Sequence, residues 1–349
     1  MGANSQFNCR ANRGSRYNPS SKITLQNWNG ELNGLLSTYN PGLGIFAPAL
    51  PAAPPKWIAV QPRFEQFHRN LALTPLQQTD GIIKRNGVIR CLNRAYYGSA
   101  SDVENSFFVG SWGKNTAIRP PRDIDLYFLL PPAVYQRFQG YASNRQSALL
   151  QEVKNLLAVP YPDTDMRGDG QVVVVRFDSY CVEVVPAFAL TTGRYWICDT
   201  HNGGSYKEAD PWMEANHLET VDKNSNYNLL PLVRMLKAWQ TWCSVPLKSF
   251  QIELIAANFI QQSPWRHCNF LWFDWIMRDF FAYLYSCANS FVFVPGTLEA
   301  IWLGDAWQSR TQTAYAHAVN ACRYEELNLV DLAGKEWQKI FGQQIPRTL

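Results

Sequence analysis

The spacing of hydrophobic positions changes along the chain and divides it. Residues 1 to about 60 show no helical or strand period; Asn, Gly, Ser and Pro dominate, and PALPAAPPKW lies at their end. This composition predicts an extended arm, mildly basic through Arg10, Arg13, Arg16 and Lys22. From there Phe64, Phe67 and Leu71 fall at helical spacing. Thr74 and Pro75 then stand as N-cap and first-turn residue of a second helix that runs through Ile89 and Tyr96 and stops near Gly98. Strand patterns follow at Ser106–Val109, Asp123–Leu130, Gln171–Phe177 and Tyr180–Phe188, the last two joined by an Asp178-Ser179 turn. A helix over about Val134–Val159 crosses between the second and third strands. Gly168-Asp169-Gly170 reads as a further turn, with Asp163, Asp165 and Asp169 as solvated loop residues, and Thr191–His201 as a short hairpin. Past Trp212 the period is helical: Asn228–Cys243, Ser249–Gln261, Asn269–Ala288, Ser309–Arg323 and Leu329–Phe341. The expected architecture is α+β, a sheet-bearing lobe over 61–205 followed by a helical lobe over 206–349. A ligand cleft is expected between them.

The polar residues that interrupt these patterns carry the chemistry. Side chains two apart on a strand share a face, so Asp123 and Asp125 project together while Ile124 turns into a core. Adjacent carboxylates repel unless a cation lies between them, and hard oxygen ligands suit Mg²⁺. An edge strand whose two acids face water is the competing reading. Glu183 shifts the balance, because it lies between Val182 and Val184-Val185. There a lone acid is costly unless it is paired, protonated, metal-bound or turned to solvent by the alternation. Gly110 lets the backbone approach a phosphate, and Ser111 adds a hydroxyl and an exposed N–H. A phosphate cradle beside a metal pair suits phosphoryl or nucleotidyl transfer. Lys237 sits among Leu232, Val233, Leu236 and Trp239, which by itself describes a lysine snorkelling from an apolar face. Ser249 and Phe250 open the next helix, where free N–H groups favour phosphate and a ring can stack on a base; Ser249 also suits a plain N-cap.

Taken in order, Gly110-Ser111, Thr116-Ala117-Ile118-Arg119, Asp123-Ile124-Asp125, Glu183-Val184-Val185-Pro186, Leu236-Lys237-Ala238-Trp239, Leu247–Glu253 and Trp337–Gly342 resemble the polymerase-β-like nucleotidyltransferases. More narrowly, the chain resembles the CD-NTases, bacterial relatives of cyclic GMP-AMP synthase in CBASS anti-phage signalling, over roughly residues 61 to 345. The resemblance implies a mixed-sheet catalytic lobe braced by an N-terminal helix, a helical C-terminal lobe and an active site between them. It implies Asp123, Asp125 and Glu183 as catalytic ligands of two Mg²⁺ ions, or Mn²⁺ in their place. Gly110, Ser111, Lys237 and Ser249 would hold the NTP phosphates, and Phe250 would contact the nucleotide. The implied product is a cyclic di- or trinucleotide read by a downstream effector, with CBASS accessory proteins as further partners. Glutamate stands third in the carboxylate set where many relatives carry aspartate. The alternatives are transfer to an RNA acceptor of the tRNA type, against which no added basic domain is found, and a degenerate fold that only binds nucleotides or partners, against which the intact triad argues.

Composition narrows the picture modestly. With 349 residues and 46% hydrophobic content the chain can bury a sizeable core. A net charge of +4 suits nucleotides but not a duplex-binding surface. The eight cysteines, at 9, 91, 181, 198, 243, 268, 287 and 322, have no regular spacing and read as reduced thiols of a cytoplasmic protein. Phe270–Pro295 is the most apolar segment, yet Asp274, Arg278 and Asp279 lie within it, so a buried aromatic helix is expected rather than a membrane span. The first residues lack the apolar stretch of a signal peptide.

Overall fold

The structure is a computed structural model, and it describes residues 56–349. The extended arm expected over 1–60 therefore lies almost wholly outside the described residues. The first helix, α1 (Val60–Leu71), buries Val60, Phe64, Phe67 and Leu71 along one stripe. Arg63 is buried beside them; its guanidinium donates to Glu325 Oε1 at 2.8 Å and to the carbonyls of Val330, Pro346 and Arg347. The second helix, α2 (Pro75–Tyr97), starts on a complete capping box. Thr74 Oγ1 accepts from the Gln77 N–H, and Gln77 Oε1 accepts from the Thr74 N–H. Gly98 closes it with φ 65°, a left-handed cap.

The sheet follows. Strand β1 (Ser106–Phe108) leads through the single turn α3 (Gly110–Gly113) to β2 (Asp123–Leu129), then α4 (Pro132–Gln139) and α5 (Arg145–Ala158). Strands β3 (Asp165–Asp169), β4 (Val172–Arg176), β5 (Cys181–Ala189), β6 (Tyr195–Asp199) and β7 (Ser205–Ala209) complete it. Its main path is β1-β2-β5-β4-β3, with β6 joined to β5 and β7 to β6. Only β2 and β5 run parallel; the remaining pairs are antiparallel. Alternation sorts the two faces. Ile124, Leu126 and Phe128 of β2, and Val182 and Val184 of β5, pack under α2, α4 and α5. Asp123, Asp125 and Glu183 project from the other face.

The helical lobe comprises α6 (Pro211–Asn224), α7 (Leu229–Trp242), α8 (Ser249–Gln262), α9 (Phe273–Ser286), the hairpin β8 (Phe291–Phe293) and β9 (Ala300–Trp302), α10 (Gln308–Glu326) and α11 (Val330–Phe341). Its core is built on Trp239, Trp307, Trp337 and the rings of Phe273, Phe280, Phe281 and Phe341. Helix α1 belongs to this core and α2 to the sheet's core, so the chain crosses from one to the other between Leu71 and Pro75.

Several elements differ from the sequence reading. The helix expected over Val134–Val159 is broken into α4 and α5 around Gly140. The turn expected at Gly168-Asp169-Gly170 belongs mostly to β3, which reaches Asp169 before Gly170 turns with φ 62°. Asp165 and Asp169 are therefore strand residues on the sheet edge, beside Arg176 and Arg167. The hairpin expected within Thr191–His201 is not formed there: Tyr195-Trp196 begins β6, which pairs with β5 on one side and with β7, beyond His201, on the other. The apolar run Phe270–Pro295 is helical only to Ser286; Phe291–Phe293 turns back as β8. Among the described residues no helix is long and apolar enough to cross a membrane.

Candidate active site

Asp125 and Glu183 stand directly opposite each other, because the parallel register pairs them Cα to Cα; Asp123 is paired with Cys181 two residues earlier. Strand pairing thus brings carboxylates from distant parts of the chain to one face. Gly110 packs on the other side of Asp125. A Cβ at Gly110 would lie 1.9 Å from Asp125 Oδ2, and its φ of 54° also disfavours any other residue. Burial and the neighbouring charges of Asp123 and Glu183 push the Asp125 carboxyl up to about 7. Glu183 is raised as well, by burial and then by Asp123 and Asp169. Such a set of crowded carboxylates is costly when bare and suits a hard divalent cation. As placed, no three His, Cys, Asp or Glu side chains among the described residues are grouped closely enough to hold an ion. The chemistry of the donors fits a metal, but the side chains would have to draw together around it.

One pocket is lined by Gly110, Ser111, Asp123, Asp125, Lys237, Ser249 and Phe250 together. Glu183 is outside its lining, on the strand beyond Asp125. Ser249 is the first residue of α8 and not its cap; Lys248 occupies the cap position, and the Ser249 hydroxyl donates to Gln240 Oε1 at 3.2 Å. Lys237 does not snorkel: its ammonium is buried, donating to Glu253 Oε1 at 2.6 Å and to Thr116 Oγ1 at 2.7 Å.

Lys114 and Glu253 also line this pocket and were not singled out as site residues by sequence reasoning. Lys114 Nζ lies 2.6 Å from Glu253 Oε2 as a close ion pair, and 3.8 Å from Glu214. It also covers one face of Phe250 at 4.4 Å, so a base could stack only on the opposite face. The signal for Glu253 was the one used for Glu183: an acid within an apolar run, here IELIAANFI.

The loop from Lys114 to Arg122 is fastened to the helical lobe. Arg234 donates to Asn115 O and Oδ1 at 2.8 and 2.9 Å. The Arg119 N–H donates to Leu71 O at 2.8 Å, Gln344 donates to Arg119 O at 2.7 Å, and Arg122 donates to Thr241.

Residues 58–224 match the model of the Second Messenger Oligonucleotide or Dinucleotide Synthetase domain. The chain carries a CD-NTase domain. A probable cyclic nucleotide synthase of Bacillus cereus (strain VD146) is 22% identical over 277 residues, 68% of this chain and 81% of that protein. The CBASS oligonucleotide cyclase CdnC of Escherichia coli (strain KTE188) is 26% identical over 163 residues, 44% of this chain and 49% of that one. The solved complex of E. coli MS115-1 CdnC with HORMA-deltaN superposes with a TM-score of 0.58 at 18% identity, covering 82% of this chain and 98% of that one. The fold is accordingly polymerase-β-like, and the CD-NTase assignment makes the protein a nucleotidyltransferase, a cyclic oligonucleotide synthase. Metal dependence is general in this family.

Proposed function

We propose that the pocket between sheet and helical lobe binds the donor NTP and that Asp123, Asp125 and Glu183 serve the transfer of its nucleotidyl group. The observation that carries this is the placement of Asp125, with Gly110 against one side and Glu183 in register on the other. Gly110 and Ser111 would face the β and γ phosphates, with Ser249 at the start of α8 closing the site from the helical lobe. Phe250 would contact the nucleotide with its open face. Asp123 and Asp125 are the residues to hold two Mg²⁺ ions, and Glu183 completes the set on the side away from Gly110, where an acceptor ribose hydroxyl would enter. Bound there, the ions would supply Lewis-acid stabilisation of the attacking and leaving oxygens of an in-line displacement. Glu183 keeps its carboxylate on a β-strand, so its extra methylene compared with aspartate is the feature that sets its reach.

The product is proposed to be a cyclic di- or trinucleotide made in the cytoplasm and read by a separate effector, with accessory proteins of the HORMA kind as further partners. Incubating the protein with Mg²⁺ and all four NTPs, followed by phosphatase and mass spectrometry, tests this. A phosphatase-resistant cyclic product, lost in the Asp123→Ala, Asp125→Ala double variant, is expected. Nucleotide addition to supplied tRNA in place of a cyclic product would instead favour an RNA-acceptor enzyme.

A further inference from the structure

We propose that Glu253 is the positioning residue of the donor-triphosphate site, gathering Lys114 from the sheet lobe and Lys237 from the helical lobe into one cation pair on the pocket floor. This rests on the donor-site reading above and adds two residues to it. Glu253 is among the most buried polar residues of the protein. One oxygen accepts from Lys237 and from Thr116 Oγ1, at 2.6 and 2.7 Å; the other lies 2.6 Å from Lys114. All four side chains line the pocket that holds Gly110, Ser111 and Asp123.

Two ammonium groups do not share a dry floor unaided. Each resists desolvation, and each repels the other. Burial accordingly holds the Lys237 ammonium below its usual range. Lys114 is held above its own, because Glu253 and Glu214 outweigh its burial, and the two lysines bring Glu253 down to about 2 against its own burial. Glu253 lies between them and, helped at Lys114 by Glu214, keeps both charged and fixes where both point. Polyphosphate is the ligand chemistry that uses such a pair: highly charged, with several oxygens, entering beside Ser111. Glu253 itself faces the lysines and touches no phosphate.

Simple charge counting and positioning predict opposite results for Glu253→Gln. If the carboxylate only neutralised the site, its removal would add positive charge and tighten anion binding. If it positions the lysines, the uncompensated pair separates or loses a proton, and binding weakens. The probe is inorganic tripolyphosphate, titrated calorimetrically into the full chain with Mg²⁺ at a temperature where circular dichroism shows each variant folded. Glu253→Gln is expected to bind at least tenfold more weakly than wild type, and its KM for NTPs to rise tenfold with kcat within about threefold. The double variant Glu253→Gln, Lys114→Met should melt closer to wild type than Glu253→Gln alone, since only one buried ammonium remains, yet stay weak in binding. Binding by Glu253→Gln that is tighter than wild type, or within twofold of it, overturns the inference. Should Glu253→Gln not fold, Lys114→Met decides alone, because it keeps the Lys237–Glu253 pair: tenfold weaker binding supports the inference and unchanged binding overturns it. A wild-type protein that takes no tripolyphosphate would remove the donor-site reading itself, and with it this one.

Discussion

Asp125 is subject to two opposing demands, set by the strand that carries it. Its backbone must pair with β5 in the middle of the sheet, while its carboxyl must sit in a half-buried corner between Gly110 and Glu183. Without metal, the native state holds a proton there that the unfolded chain releases near pH 4, because the folded pKa is raised to about 7. A raised pKa contributes stability that is fully present below the unfolded value and lost as pH climbs through the folded one. Divalent cation binding must displace that proton, so it strengthens over the same window. The expected outcome is a Mg²⁺-induced rise in melting temperature that is small at pH 5.5 and grows to pH 8, measured by thermal denaturation with and without the ion. His68 is depressed to about 4 and works in the opposite sense, destabilising the native state as pH falls through the usual histidine range. It belongs to no carboxylate cluster, so it cancels from the with-minus-without difference. An increment independent of pH would contradict the placement of Asp125. At this scale the sequence was informative wherever an acid interrupted an apolar strand, as with Asp125 and Glu183. Lys114, with Trp112 and Asn115 around it in the loop, carried no such contrast, and its partner Glu253 lies on a helix far along the chain.

Elements were legible in proportion to how much of their length is buried. Helix α2 was anticipated at both ends because its caps are local: Thr74 and Gln77 exchange hydrogen bonds, and Gly98 supplies the left-handed residue. Replacing Thr74 by alanine removes one half of that exchange and should cost about 1 kcal/mol, read from chemical denaturation, with a Thr74→Ser variant close to wild type. Strand β3 was mistaken for a loop for the complementary reason. Of DMRGD only Met166 turns inward, and an edge strand that presents Asp and Arg to water shows almost no apolar alternation. The sequence places a helix at Asn269–Ala288, close to α9, but the apolar segment reads as helical on to Pro295 because Phe291, Val292 and Phe293 resume the aromatic run after Asn289-Ser290. Short apolar stretches do not distinguish helix from strand by period, and here Val292 faces the core while both phenylalanines stand exposed.

The whole molecule is held together by long-range polar ties that no local pattern announces. Arg63 secures α1 to the end of the chain through Glu325 and three carbonyls, all from residues beyond Gln308. Arg63→Met keeps the apolar stem but removes the guanidinium that lies 2.8 Å from Glu325. Breaking a buried pair from one side should cost roughly 3–5 kcal/mol, and the denaturation midpoint should fall accordingly. Adding Glu325→Gln should recover part of that loss, which separates uncompensated charge from lost packing.

The fastened loop from Lys114 to Arg122 has a consequence for turnover. It begins where the Gly-Ser turn ends and finishes at the residue before Asp123, yet Asn115, Arg119 and Arg122 bond to the helical lobe. Spreading the two lobes would therefore pull on Asp123 and on the Gly110-Ser111 turn together, the residues proposed above to hold metal and phosphate. With those proposed roles, release of product and loosening of the side chains that would hold the ions would be mechanically coupled, and the ion site would have to be refilled at each cycle.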